Sequence, residues 1–272
     1  MIRQPMPVTF YSPVLERRLT FYVCLPPGYE TSGRQYPSIY LLHGRFGSEI
    51  DWPYKGAAYE TISRLTASGQ LTEAVVIMPS DGGFSQGTYY TDWHDGSGRF
   101  EQYFIQDLIP FVESQYRIKS ERSSRAIGGL SMGGFGSLYF ALRHPDKFAA
   151  AGSMSGALGM FPQTGNLHLG PDWSVEMLER VVGPLDGPYA LERNLAILAA
   201  RVIKQADLPA LYFDCGTEDF LYESNLWFKD QLTKLNYPFT YQDFPGSHTW
   251  EYWSEHLADV LLFLNRHISR HS

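Results

Sequence analysis

Short unbroken apolar runs, set between stretches with helical spacing, dominate the pattern of this chain. Residues 38–42 (Ser-Ile-Tyr-Leu-Leu) end at His43-Gly44, and residues 74–78 (Ala-Val-Val-Ile-Met) end at Pro79. Runs this short, closed by turn residues, predict strands buried on both faces of a parallel sheet. Comparable runs predict strands at 124–127, 148–154, 209–213 and 239–244. Apolar positions recur at helical spacing over 54–68, 100–116, 135–143, 221–235 and 250–267. Pro110 falls inside the second of these, where its missing N–H and ring should kink or divide the helix. Upstream, 8–11 and 19–25 lead into Pro26-Pro27-Gly28 and predict an opening antiparallel hairpin. Strand and helix therefore alternate, as in an α/β fold with a mostly parallel central sheet and helices on both faces. Residues 156–205 break the rhythm with a Gly- and Pro-rich loop and about two helical segments. An excursion of that length is usually functional, and a partial lid is the expectation.

Composition narrows the picture. With 272 residues, 44% of them apolar and 15% aromatic, one large core and a single domain are expected over residues 1–272. The net charge of -7 and the scattered basic residues leave no electrostatic footprint for nucleic acid or an anionic membrane. Residues 1–11 carry no apolar run of signal-peptide length, and nothing later approaches a membrane span. The default expectation is a cytoplasmic protein, with export left open if a signal peptide has been removed. A homo-oligomer is compatible with the sequence. The two cysteines, Cys24 and Cys215, each lie beside a predicted strand and read as small buried hydrophobes, without disulfide or zinc spacing.

The candidate chemistry begins at Gly129-Leu130-Ser131-Met132-Gly133, a Gly-x-Ser-x-Gly stretch between a predicted strand and a predicted helix. A serine at the tip of a sharp strand-to-helix turn has strained backbone angles, and its neighbours two residues away must approach without side-chain bulk. Its hydroxyl is a poor nucleophile unless a neutral imidazole takes its proton and a carboxylate orients that imidazole. On this type of elbow the partners follow in the order acid, then histidine. Of the histidines placed late enough, only His248, in Phe244-Pro245-Gly246-Ser247-His248-Thr249-Trp250, lies in a loop just after a strand. His256 and His267 fall within the last predicted helix and His271 in the tail, where solvated positions are expected.

The loop after 209–213 offers three carboxylates. Asp214 sits at the strand end and reads as structural, whereas position alone does not separate Glu218 from Asp219. An oxyanion needs two donors. The backbone N–H of Met132 lies at a helix N-terminus, and the loop after Leu42-His43-Gly44 should supply the other through the N–H of Arg45, whose side chain is expected in solvent. His43 is expected to pack and hydrogen-bond that loop. Asp92, His94 and Asp95 supply too few ligands to make a metal site, and no metal or other cofactor is expected. Large aromatics fall on predicted loops or helix starts near the strand ends: Trp52, Phe84, Tyr89, Tyr90, Trp93 and Trp250. Trp52, Tyr90, Trp93 and Trp250 are the candidates for lining the mouth of the site, where they would suit an apolar acyl chain, a sugar or a phenolic ring.

Several of these segments together resemble the putative-esterase family of alpha/beta hydrolases, with its feruloyl, acetyl-xylan and tributyrin esterases, S-formylglutathione hydrolases and, more distantly, mycolyl transferases. They are Leu41-Leu42-His43-Gly44 followed by Asp51-Trp52, Gly129 to Gly134, Cys215-Gly216-Thr217-Glu218-Asp219, and Gly246 to Trp250. The resemblance implies an alpha/beta-hydrolase fold, with Ser131 as nucleophile, Asp219 as the acid, His248 as base and Arg45 and Met132 as oxyanion donors. It implies a serine carboxylesterase acting on short acyl esters, such as acetyl or feruloyl esters of carbohydrates, with a small-molecule ester as partner. The Ser-Gly-Leu oxyanion segment of human-type S-formylglutathione hydrolases is absent. Thioester hydrolysis of S-formylglutathione and acyl transfer remain the alternatives within enzymes, and a non-catalytic carbohydrate-binding module on the same fold is the alternative outside them.

Overall fold

A computed structural model describes residues 3–83, 86–159 and 174–268. Eight strands form one sheet: β1 (Met6–Ser12), β2 (Arg17–Cys24), β3 (Ser38–Leu42), β4 (Val75–Pro79), β5 (Arg125–Leu130), β6 (Ala150–Met154), β7 (Ala210–Gly216) and β8 (Phe239–Phe244). Their order is β1-β2-β4-β3-β5-β6-β7-β8. The opening hairpin β1–β2 joins β4 antiparallel, and every pairing from β4 through β3 to β8 is parallel.

The unbroken apolar runs are explained by the pleat, which sends successive side chains to opposite faces. Ile39 and Leu41 of β3 enter one core with the helices Ala58–Ala67 and Trp250–Ile268, through residues such as Ile62, Leu65, Leu257 and Leu261. Tyr40 and Leu42 enter the other, with Phe104, Phe140, Leu198 and Phe228 from the helices on that side. Cys24 and Cys215 are both buried, as their sequence setting suggests.

Three predicted elements differ in detail. The helix expected over 54–68 begins only at Ala58 (Ala58–Ala67), after a separate short helix Asp51–Tyr54, because Ala57 before it is left-handed at φ 48, a conformation through which a right-handed helix does not continue. The helix over 100–116 continues past Pro110, but the turn before it, Tyr103–Leu108, widens to π-helical geometry. A wider turn accommodates a residue that cannot donate to the usual ladder. The described part of the 156–205 excursion holds three helices rather than about two, at Val175–Val182, Pro188–Leu191 and Leu195–Val202; residues 160–173 lie outside the described residues.

Candidate active site

β5 leads directly into the helix Met132–Arg143, and Ser131 occupies the turn between them with φ 54 and ψ -117. A non-glycine residue with such angles is strained. The flanking glycines are required by contact. A Cβ on Gly129 would lie 2.5 Å from the Gly133 carbonyl oxygen, and one on Gly133 would lie 2.5 Å from that of Leu42. The turn holds Ser131 partly exposed at the C-terminal edge of the sheet.

Two further loops at that edge complete a hydrogen-bonded chain. His248 Nε2 lies 3.0 Å from Ser131 Oγ, and His248 Nδ1 lies 2.8 Å from Asp219 Oδ2. The other oxygen, Asp219 Oδ1, accepts the Leu221 N–H at 2.8 Å, and the Asp219 side chain is wholly buried. With its carboxylate fixed on both sides, Asp219 can hold the imidazole in one orientation and tautomer. Asp219 and Glu218, which position alone leaves equivalent, take different places. Glu218 is exposed and accepts the N–H of Gly246, tying the acid loop to the histidine loop; that hydrogen bond and one from Thr217 hold its carboxyl below the ordinary range. Asp214 lies near the end of β7, buried and bonded to the Tyr252 hydroxyl.

The loop after β3 lies against the elbow, since a Cβ on Gly44 would be 3.4 Å from Ser131 Cβ. Gly87 packs on both Arg45 and Met132, so these two residues are neighbours across the site. The Arg45 side chain departs from expectation: its Nε donates to the Gln86 carbonyl at 2.9 Å and its guanidinium covers the Phe46 ring, so it braces the neighbouring loop instead of extending into solvent. His43 is buried, with Nδ1 2.8 Å from the Gly44 carbonyl oxygen and Nε2 3.0 Å from the Asp81 nitrogen.

Three of the four aromatics expected to line the site are core residues. Trp52 donates its indole N–H to the Leu42 carbonyl at 3.0 Å, Tyr90 its hydroxyl to that of His43 at 3.0 Å, and Trp93 its indole N–H to that of Thr88 at 3.0 Å. All three are buried, because loop carbonyls shielded from water need donors and these amphipathic rings supply them. Tyr89 is buried as well, and Phe84 lies outside the described residues. Only Trp250 keeps part of its surface, wedged edge-on between Trp52 and Trp253. Among the described residues, two open aromatics beside the site were missed by sequence reasoning. Phe46 follows Arg45 and is 61% exposed, and Phe220 follows Asp219, is 55% exposed and places its ring 4.6 Å from the His248 imidazole. Their signal was adjacency to site residues. His256, expected in solvent, is instead buried, stacked on Phe244 at 4.0 Å; His271 lies outside the described residues.

Asp92, His94 and Asp95 fasten the excursion to the loop beside the site. The Tyr189 hydroxyl donates to the Asp92 carbonyl at 2.8 Å, the His94 N–H to that of Val181 at 2.9 Å, and Asp95 pairs with Arg180 at 2.8 Å. The Asp92 carboxylate is itself occupied by Gln102. No helix among the described residues is long and apolar enough to cross a membrane.

Comparisons with known proteins agree with this architecture. The family model described as "Putative esterase" matches residues 12–264. The chain is 24% identical to an acetyl esterase of Caldicellulosiruptor saccharolyticus over 274 residues, which cover 96% of this chain and 98% of the relative. A solved ferulic acid esterase superposes with a TM-score of 0.80 at 27% identity, over 98% of this chain and 99% of that one. The S-formylglutathione hydrolase FrmB of Staphylococcus aureus shares the fold, with a TM-score of 0.74 at 24% identity over 97% and 99% of the two chains.

Proposed function

The chain belongs to the Putative esterase family, and on that premise we propose that it is a serine carboxylesterase that hydrolyses short acyl esters through an acyl-enzyme on Ser131. The observation that carries this reading is the chain Ser131 Oγ, His248 and Asp219, linked at 3.0 and 2.8 Å on a strained elbow. As Oγ adds to the ester carbonyl carbon, His248 Nε2 takes its proton. The tetrahedral oxyanion is held by the N–H groups of Met132 and Arg45. The bond from carbonyl carbon to alkoxy oxygen then breaks, and the proton on Nε2 passes to the departing alcohol. Water repeats the sequence on the acyl-enzyme: His248 takes a water proton, hydroxide adds, and the proton returns to Ser131 as the carboxylic acid leaves.

Acetyl and feruloyl esters of carbohydrates are the proposed substrates. Support comes from the names of an acetyl esterase and a ferulic acid esterase that align over nearly the full length of both chains; FrmB aligns as fully, but at 24% identity it carries the fold alone. The test compares kcat/KM on acetylated xyloside, methyl ferulate and S-formylglutathione. The oxygen esters are expected to be turned over preferentially; a strong preference for the thioester would replace this substrate class.

A further inference from the structure

Tyr89 and Tyr90 are consecutive, bulky and both left-handed, with φ 55 and 56. That conformation is costly for a residue carrying a Cβ, and two in succession persist only where the surroundings enforce them. The turn is held from below by Asp81, whose carboxylate accepts the Thr88 N–H at 3.0 Å, while the Thr88 hydroxyl oxygen accepts the Tyr90 N–H at 3.1 Å. In this geometry the Tyr89 N–H points at Met132 Sδ, 3.3 Å away, and the Tyr90 hydroxyl reaches the His43 carbonyl at 3.0 Å. The strained pair therefore touches both sides of the proposed oxyanion hole.

The His43 contact belongs to a series. Three successive carbonyls, at the end of β3 and in the loop that carries Arg45, each receive a side-chain donor: Leu42 from the Trp52 indole at 3.0 Å, His43 from the Tyr90 hydroxyl at 3.0 Å, and Gly44 from His43 Nδ1 at 2.8 Å. The imidazole assignment follows from its other contact. Nε2 lies 3.0 Å from the Asp81 N–H, which can only donate, so Nε2 is the acceptor and Nδ1 carries the proton. In a planar trans peptide the C=O and the next N–H point in opposite directions, so anchoring the Gly44 carbonyl fixes the direction of the Arg45 N–H.

We infer that Trp52, Tyr90 and His43 are positioning residues that preorganise the oxyanion hole, and that the strain at Tyr89–Tyr90 is retained because it places the Tyr90 hydroxyl in this series. The inference rests on the acyl-enzyme reading above. Donors aimed in advance at the developing oxyanion stabilise the transition state more than the bound ester, so loosening them should lower kcat and leave KM nearly untouched.

The experiment uses Tyr90→Phe, which removes only the hydroxyl, and Trp52→Phe, which removes the indole donor. Each is assayed for kcat and KM on an acetate ester and for inhibition by a trifluoromethyl ketone, which adds to Ser131 as a tetrahedral hemiketal. Each variant is expected to lose about tenfold in kcat, the equivalent of one net hydrogen bond, and to bind the ketone more weakly by a matching factor. Unchanged kcat, or a loss of kcat without a matching loss of ketone binding in both variants, would overturn the inference. Wild-type protein that forms no ketone adduct on Ser131 would instead overturn the acyl-enzyme reading itself.

Discussion

The hydroxyl of Tyr252 donates to Asp214 Oδ1 at 2.9 Å, joining the last helix to the end of β7 beneath the loops that carry His248 and Asp219. Burial pushes the Asp214 carboxyl up from its ordinary 3.8 to about 8, against the pull of the Tyr252 hydrogen bond. Between those values the folded protein keeps a proton that the unfolded chain releases, so stability is lost as pH rises through the window. Wild-type Tm is expected to fall relative to that of Asp214→Asn as pH is raised from about 5 to about 8. Thermal unfolding of both proteins across that range checks it; a constant difference in Tm would contradict the buried neutral acid.

Glu218 and Asp219 are adjacent carboxylates with different tasks, one tying Gly246 and the other holding His248. Asp219→Asn is expected to lower kcat by about 10⁴, as loss of the orienting acid does in other triads. Glu218→Gln removes a charge from an exposed loop contact and should cost less than about tenfold. Steady-state kinetics of the two variants decide the matter, and equal losses would show that the acid has been assigned wrongly.

Phe220 packs its ring 4.6 Å from the imidazole of His248, while Trp253 meets the same imidazole edge-on at 4.8 Å. Removing one ring from a histidine that must hold its orientation should lower kcat/KM about three- to tenfold in Phe220→Ala, on the scale of an aromatic pair. Phe220→Tyr should restore it. An alanine variant with wild-type kinetics would mean that Phe220 plays no part in placing His248.

The elbow was legible because its requirements are local: Gly129 and Gly133 are the residues that the backbones of Gly133 and Leu42 approach too closely for a Cβ. That an acid follows β7 and a histidine follows β8 was legible for a similar reason, since each sits on the loop that directly follows a parallel strand, whereas position left Glu218 and Asp219 equivalent and only the family resemblance favoured Asp219. What the sequence hid was burial at loops. Trp52, Tyr90 and Trp93 look like lining residues because they fall outside predicted strands, yet each is drawn inward by a carbonyl that needs a donor. Phe46 and Phe220 show the opposite failure. Apolar residues are expected inside, and only the short turns that fix Arg45 and Asp219 leave these two rings in the open. The late start of the helix at Ala58 likewise depended on the left-handed conformation of Ala57, which periodicity cannot register.

The central claim is that Ser131 carries the acyl group. Rapid quenching of the reaction with 4-nitrophenyl acetate, followed by peptide mass spectrometry, measures it directly. An acetyl increment is expected on the peptide containing Ser131, formed in the burst of 4-nitrophenol release, and Ser131→Ala should lose both the adduct and about 10⁴- to 10⁶-fold in kcat. Turnover with no adduct on Ser131, or with the increment on another residue, would contradict the account.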